Sequence, residues 1–164
     1  MITVLFLCTG NSCRSIMAEG LLSHYGEGRF KAISGGSVPA GYVHPMSLET
    51  LTVHGIKTSG YFSKSWDIWH DGEGNITFPI DIVITVCDAA AGEACPLFPG
   101  KPIKVHWGVP DPAKFEGDEF QIREEFERVC TILERRVQAL VALSLETMKR
   151  EQWQSAIQKI GTML

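Results

Sequence analysis

Hydrophobic positions change their period in an orderly way along this chain. Residues 3–7 are β-branched, aliphatic or aromatic without alternation, the pattern of a strand covered on both faces. The run stops at Cys8-Thr9-Gly10-Asn11-Ser12-Cys13-Arg14-Ser15. From Ser15 the period becomes helical, with Ile16, Met17, Ala18, Leu21 and Leu22 recurring up to about Tyr25. A second strand is expected at 31–34, closed by a turn at Gly35 and Gly36. Strand, loop, helix and strand in so short a span predict a right-handed βαβ unit.

Further along, 46–54 predicts a helix with Met46, Leu48, Leu51 and Val53 as core contacts and Gly55 as its stop. The stretch 59–77, rich in Gly, Ser, Asp and Trp, reads as loop with a short helical turn near 65–69. Residues 80–86 form another apolar run ending at Cys87, and 104–107 follow a proline-marked turn as a fourth strand. Asp118 can cap a long helix whose apolar positions Phe126, Val129, Cys130, Leu133, Val137, Leu140 and Val141 lie three and four apart. Leu145, Met148, Trp153, Ile157 and Ile160 predict one more amphipathic helix. Strands alternating with helices indicate the α/β class: an open, mostly four-stranded parallel sheet flanked by helices, with an extra helix at the end. With 164 residues, no repeat and no linker, one domain over 1–164 is expected, with 1–143 as its core and 144–164 as an extension.

Composition narrows the class. The chain is 45% hydrophobic and 21% charged, as in soluble globular proteins, and its net charge of -4 comes with scattered basic residues, which argues against nucleic acid. No apolar run approaches the roughly 20 residues needed to cross a bilayer, and the opening strand has neither the basic start nor the cleavage site of an export signal. The expected setting is the cytoplasm, without membrane contact. Five cysteines, an odd number, then read as reduced thiols rather than a disulfide framework.

Cys8 ends a buried strand at the carboxyl edge of a parallel sheet, where α/β proteins bind ligands. The spacing Cys8-x5-Arg14 lets Thr9, Gly10, Asn11, Ser12, Cys13, Arg14 and Ser15 wrap a tetrahedral oxyanion with successive N–H groups. The following helix points its positive end at the same spot, and Arg14 offers a planar fork for two oxygens. This field is expected to favour thiolate at Cys8. Ser15 is placed to hydrogen-bond the sulfur and Asn11 to hold the loop's shape. A nucleotide-binding loop is excluded, because Gly-x4-Gly-Lys-Ser/Thr is missing and Gly26-x-Gly28 lacks its third glycine.

The segment from Cys8 to Ser15 resembles the phosphate-binding loop of low-molecular-weight protein tyrosine phosphatases, and still more that of the arsenate reductases built on the same fold. Met17-Ala18-Glu19-Gly20, Thr85-Val86-Cys87-Asp88, Glu93-Ala94-Cys95-Pro96 and His106-Trp107-Gly108-Val109-Pro110-Asp111-Pro112 extend the resemblance, which covers about 3–141. Asp111, stiffened by prolines on both sides, is the candidate general acid, and the resemblance assigns it the same role. The segment Ala113-Lys114-Phe115 lacks the tyrosines typical of the phosphatases there.

Cys87 and Cys95 bear on the reaction class. Their seven-residue gap is too wide for Cys-x-x-Cys chemistry and suits a disulfide formed when the segment rearranges. Ester hydrolysis needs no second or third thiol, whereas reduction must be supplied with two electrons. The resemblance implies a relay in which Cys8 attacks arsenate, Cys87 attacks Cys8, and Cys95 resolves the disulfide toward an external reductant. Thioredoxin and glutaredoxin with glutathione both stay open as that reductant, and phosphate and sulfate would compete as oxyanions. The alternatives are a phosphatase acting on phosphotyrosine or small aryl phosphates, and a thiol-based sensor. Weak phosphatase activity is expected in either enzyme.

Cys13 and Cys130 read as packed thiols, and the tryptophans as core and lid packing. The five histidines form no metal-binding spacing, so no metal site and no bound cofactor are expected. In some members of the family a potassium ion lies near the loop. Asn11, Glu19 and Ser34 could contribute to one here, although a further aspartate ligand has no match.

Overall fold

The computed structural model describes residues 1–69, 79–87 and 102–164. Four parallel strands, β1 (Ile2–Cys8), β2 (Phe30–Gly36), β3 (Ile82–Thr85) and β4 (Ile103–His106), form a sheet in the order β2-β1-β3-β4. The four α-helices among the described residues are α1 (Arg14–Tyr25), α2 (Pro45–Val53), α3 (Glu119–Ala142) and α4 (Arg150–Ile160). The expected elements are therefore present, including the helical turn at Trp66–Trp69 and the final helix.

The non-alternating run in β1 has the two-sided burial it predicts. Val4 and Phe6 belong to the larger core with α1, α3 and α4, while Leu5 and Leu7 join Ile33, Ile80 and Val83 under Trp66 and Trp69. Asp118 caps α3 through a reciprocal pair: the Gln121 N–H donates to Asp118 Oδ1 at 2.8 Å, and the Asp118 N–H to Gln121 Oε1 at 3.0 Å. The other end of α3 is closed by Arg29, which donates to the carbonyls of Val141 (2.6 Å) and Leu143 (3.1 Å).

Gly35 and Gly36 do not make the expected turn. They are the last two residues of β2, in register with Leu7 and Cys8. Close approach explains the glycines. A Cβ on Gly35 would lie 2.8 Å from Trp66 Cα, and one on Gly36 would collide with the Thr9 carbonyl oxygen. Side-chain-free backbone at this edge lets the loop after β1 fold down beside the strand.

Candidate active site

The loop at residues 8–14 carries its carbonyls on outside supports. The Thr9 oxygen accepts from the Val38 N–H (3.0 Å), the Gly10 oxygen from the Ala40 N–H (2.9 Å) and Ser63 hydroxyl (3.0 Å), and the Ser12 oxygen from the His44 N–H (3.1 Å) and Ser47 hydroxyl (3.0 Å). Oxygens that would repel an anion are thereby committed to the scaffold. The loop, with Asp111 and Lys114, lines a cavity of about 320 Å³. A larger apolar groove of about 540 Å³ between α2 and α3 contains no cysteine or histidine and lacks this chemistry.

Asn11 organises the interior of the loop. It is the only non-glycine with positive φ among the described residues (46°), a conformation asparagine tolerates better than most. Its N–H donates to Cys8 Sγ at 3.1 Å. Its side-chain amide donates to Ser15 Oγ (2.8 Å) and Ser34 Oγ (3.0 Å), and its Oδ1 accepts from the Lys64 N–H (3.0 Å). Ser15 Oγ lies 2.8 Å from Cys8 Sγ. Because that oxygen already accepts from Asn11, its own proton is available to the sulfur. Both supporting contacts expected of Ser15 and Asn11 are thus present.

The expected lowering of the Cys8 thiol pKa is not. Burial pushes it up, the Ser15 and Asn11 donors offset only part of that rise, and charge on Cys87 would add to it. With 3% of its surface exposed, Cys8 loses more by leaving water than its donors return. Cys13, at the start of α1, and Cys130, on the buried face of α3, are also raised by burial. Cys130 reaches about 12, with Glu127 and Glu134 as lesser causes. Both fit the expected packing role.

Asp111 follows β4 on the loop that closes the cavity. One carboxylate oxygen caps the turn Pro112–Lys114 by accepting from the Ala113 N–H at 3.0 Å; the other lies 3.4 Å from Arg14 Nη2. Arg14 also donates to the Val109 carbonyl at 3.1 Å. Cys87, two residues beyond β3, is buried, with its sulfur 3.7 Å from Thr9 Oγ1. Cys8, Arg14, Asp111 and Cys87 therefore meet at one edge of the sheet. Cys95 lies outside the described residues.

Two features escaped the sequence. Lys114 adds a cation to the cavity wall. Lys64 is more consequential: its ammonium lies 3.0 Å from Ser34 Oγ, 3.4 Å from Asn11 Oδ1 and 3.6 Å from Glu19 Oε1, and it also donates to the Phe62 carbonyl. Ser34 donates to Glu19 at 2.9 Å. Lys64 is thus held by all three candidate potassium ligands, and a metal cation there would sit against an ammonium with one carboxylate to share. These residues do not fit potassium. Burial lifts the Glu19 carboxyl and lowers the Lys64 ammonium, each opposed by the other's charge. A lysine beside β2 gives no local sequence signal of this role.

The family model for the low molecular weight phosphotyrosine protein phosphatases matches residues 3–154. An arsenate reductase of Staphylococcus epidermidis is 38% identical over 126 residues, spanning 76% of this chain and 90% of that protein. An arsenate reductase solved in its phosphate-binding state superposes with a TM-score of 0.65 at 29% identity, covering 87% of this chain and 98% of its own. The thioredoxin-dependent arsenate reductase of Corynebacterium glutamicum does so at 0.56 and 31%, covering 84% of this chain and 62% of its own. With an oxyanion loop, an adjacent acid and a second buried thiol on a shared framework, the chain belongs to the low molecular weight phosphotyrosine protein phosphatase family, among its arsenate reductases.

Proposed function

We propose that this protein is a cytoplasmic, single-domain arsenate reductase that works by a three-thiol relay. Cys8 Sγ attacks arsenic in the loop's grip, with Arg14 holding two oxygens. Asp111 supplies the proton with which one oxygen leaves as water, and a Cys8–arsenate adduct results. Cys87 then attacks Cys8 Sγ; as the sulfur–sulfur bond forms, the electron pair of the sulfur–arsenic bond passes to arsenic, which departs as arsenite. Cys95 attacks Cys87, releasing Cys8 as a thiol, and an external dithiol reduces the Cys87–Cys95 bridge while becoming a disulfide itself. The thioredoxin dependence of the Corynebacterium relative favours thioredoxin over glutaredoxin and glutathione as that dithiol.

The observation carrying this reading is the pair of buried thiols on neighbouring strands: Cys8 ends β1, Cys87 lies two residues beyond β3, and the hydroxyl of Thr9, the residue after Cys8, lies 3.7 Å from the Cys87 sulfur. Hydrolysis of an ester would use only the first. Arsenate-dependent NADPH consumption with a thioredoxin system, compared with a glutathione–glutaredoxin system, tests activity and reductant together. Cys95→Ser is expected to form about one equivalent of arsenite and stop, and alkylation trapping of the parent protein is expected to reveal a Cys87–Cys95 bridge by mass. Full turnover by Cys95→Ser overturns the relay. The loop and Asp111 also suit aryl phosphates, so fast hydrolysis of these that survives Cys87→Ser, without arsenite formation, would make the protein a phosphatase.

A further inference from the structure

The loop between β4 and Asp111 starts on sheet hydrogen bonds, from the Trp107 N–H to the Thr85 carbonyl (2.7 Å) and from the Val109 N–H to that of Val86 (3.2 Å), and two arginines grip its carbonyls. Arg14 donates to the Val109 carbonyl at 3.1 Å, and the neighbouring Gly108 carbonyl accepts from Arg136 Nη1 at 3.3 Å. Arg136 lies on α3 with 2% of its surface exposed. Among the described residues its hydrogen-bond partners are backbone carbonyls, its Nε donating to that of Met163 at 2.9 Å. Burial lowers its pKa, the mark of a charge held in place at some cost. One guanidinium thus ties the loop to the residues just beyond α4.

The helix α4 completes the hold. The Trp107 indole, fully buried, donates to the Ile157 carbonyl at 2.9 Å, and the His106 N–H donates to Gln158 Oε1 at 3.2 Å. Gly161 closes against the same segment: a Cβ there would lie 2.7 Å from Trp107 Cδ1 and 2.8 Å from the His106 carbonyl oxygen. Trp153, Ile157 and Ile160 bury the inner face of α4 in the main core. Among the described residues, the loop from Pro110 onward is supported by Arg14, the short turn after Asp111, and the packing of that turn against α3.

We propose that α4 and Arg136 form a brace that sets the position of Asp111, with Arg136, Gln158 and Gly161 as positioning residues for the acid. The proposal rests on Asp111 acting as general acid. A group that delivers a proton during bond breaking is sensitive to displacement, and a misplacement of about 1 Å can cost about 100-fold. The backbone of residues 9–12 is supported separately, through the carbonyls of Thr9, Gly10 and Ser12, and is expected to survive loss of the brace.

Gly161→Ala provides the test, because Gly161 has φ -62° and alanine can adopt that backbone, so the substitution acts through its two tightest contacts, with Trp107 and His106, and a lesser one at the Gln158 carbonyl. Expected is a loss in kcat for arsenite formation of about 10-fold, with KM for arsenate changed less than about 2-fold. In an Asp111→Asn background the same substitution is expected to add less than about 2-fold. Gln158→Ala, at an exposed side chain, is expected to follow the same pattern more weakly. Equal losses with and without Asp111, or a loss carried by KM, overturn the brace. Amide exchange gives a reading independent of activity: Gly161→Ala is expected to speed exchange at Trp107 and Val109 about 10-fold and leave β1 unchanged. Unchanged exchange at those two amides overturns the proposal. If the parent protein forms no arsenite, the enzymatic reading fails by itself and the exchange result decides the brace.

Discussion

The two sides of the cavity are built on opposite plans. The Cys8 side is determined redundantly: Asn11 bonds to Ser15, Ser34 and Lys64, the loop carbonyls are taken by 38–47 and Ser63, and a buried ion pair lies beneath. The Asp111 side has two prolines, one turn, Arg14 reaching across from the other side, and supports drawn from residues 136–161. This division matches the work proposed for each. An oxyanion hole gains from donors fixed before the substrate arrives. A proton donor needs correct placement but also exchange with water, and Asp111 keeps 21% of its side-chain surface exposed.

Removing the ion pair's cation strikes the first plan hardest. Lys64→Met leaves Glu19 buried against Ser34 without its counter-charge, and the expected loss is about 3–5 kcal/mol of unfolding free energy. Urea denaturation checks it. Adding Glu19→Gln is expected to recover part of that loss, because the orphaned charge goes with it. A loss below about 1 kcal/mol would mean that the pair contributes no more than a surface bridge. If Lys64 fills the cation site, exchanging sodium for potassium leaves the parent protein's melting temperature unchanged; a potassium-specific rise would restore the metal.

Asp111→Asn tests the second plan. Arsenite formation is expected to fall about 100-fold, within the usual range for a general acid, while stability changes little because asparagine can still accept from the Ala113 N–H. Steady-state rates beside a melting curve distinguish the two effects. A large stability loss with modest rate loss would make Asp111 a structural cap, and the contrast between the two sides would disappear.

What the sequence displayed follows the same division. The strand–loop–helix around Cys8 was legible because its determinants are contiguous: an apolar run, a glycine-containing loop and a helical period within 25 positions. Gly35 and Gly36 were misread because glycine marks turns and close approaches alike, and only the register of β1 with β2 separates them. Lys64 was illegible: lysine is ordinarily a solvent residue, and the side chains that hold its ammonium lie 30 to 53 positions away. The direction of the Cys8 shift was missed because the loop's donors are visible in sequence and the depth of burial is not. The amphipathic period of α4 announced a helix, but its hold on the acid loop runs through the carbonyls of Ile157 and Met163, groups that every residue carries.

The smallest expected effect lies farther from the chemistry, where α2 meets α3. His54, at the end of α2, lies 2.7 Å from Glu127 Oε1 and 3.0 Å from Glu134 Oε2, while the start of α2 supports the Ser12 carbonyl. Burial alone would lower the His54 pKa, but the two carboxylates outweigh it and raise it above the ordinary 6.5. The folded state therefore binds this proton more tightly than the unfolded chain does. Its stabilising contribution is complete below pH 6.5 and disappears as pH rises through the raised folded value. With Glu127 half exposed, the contribution is expected to be no more than about 1 kcal/mol. Denaturation of the parent and His54→Gln proteins from pH 5.5 to 9 is expected to give curves that converge toward the alkaline end. Arsenate KM measured alongside is expected to stay constant, because the Ser12 carbonyl keeps two donors at the opposite end of α2. A KM that followed the His54 titration would show that the nucleophile side depends on distant support as well.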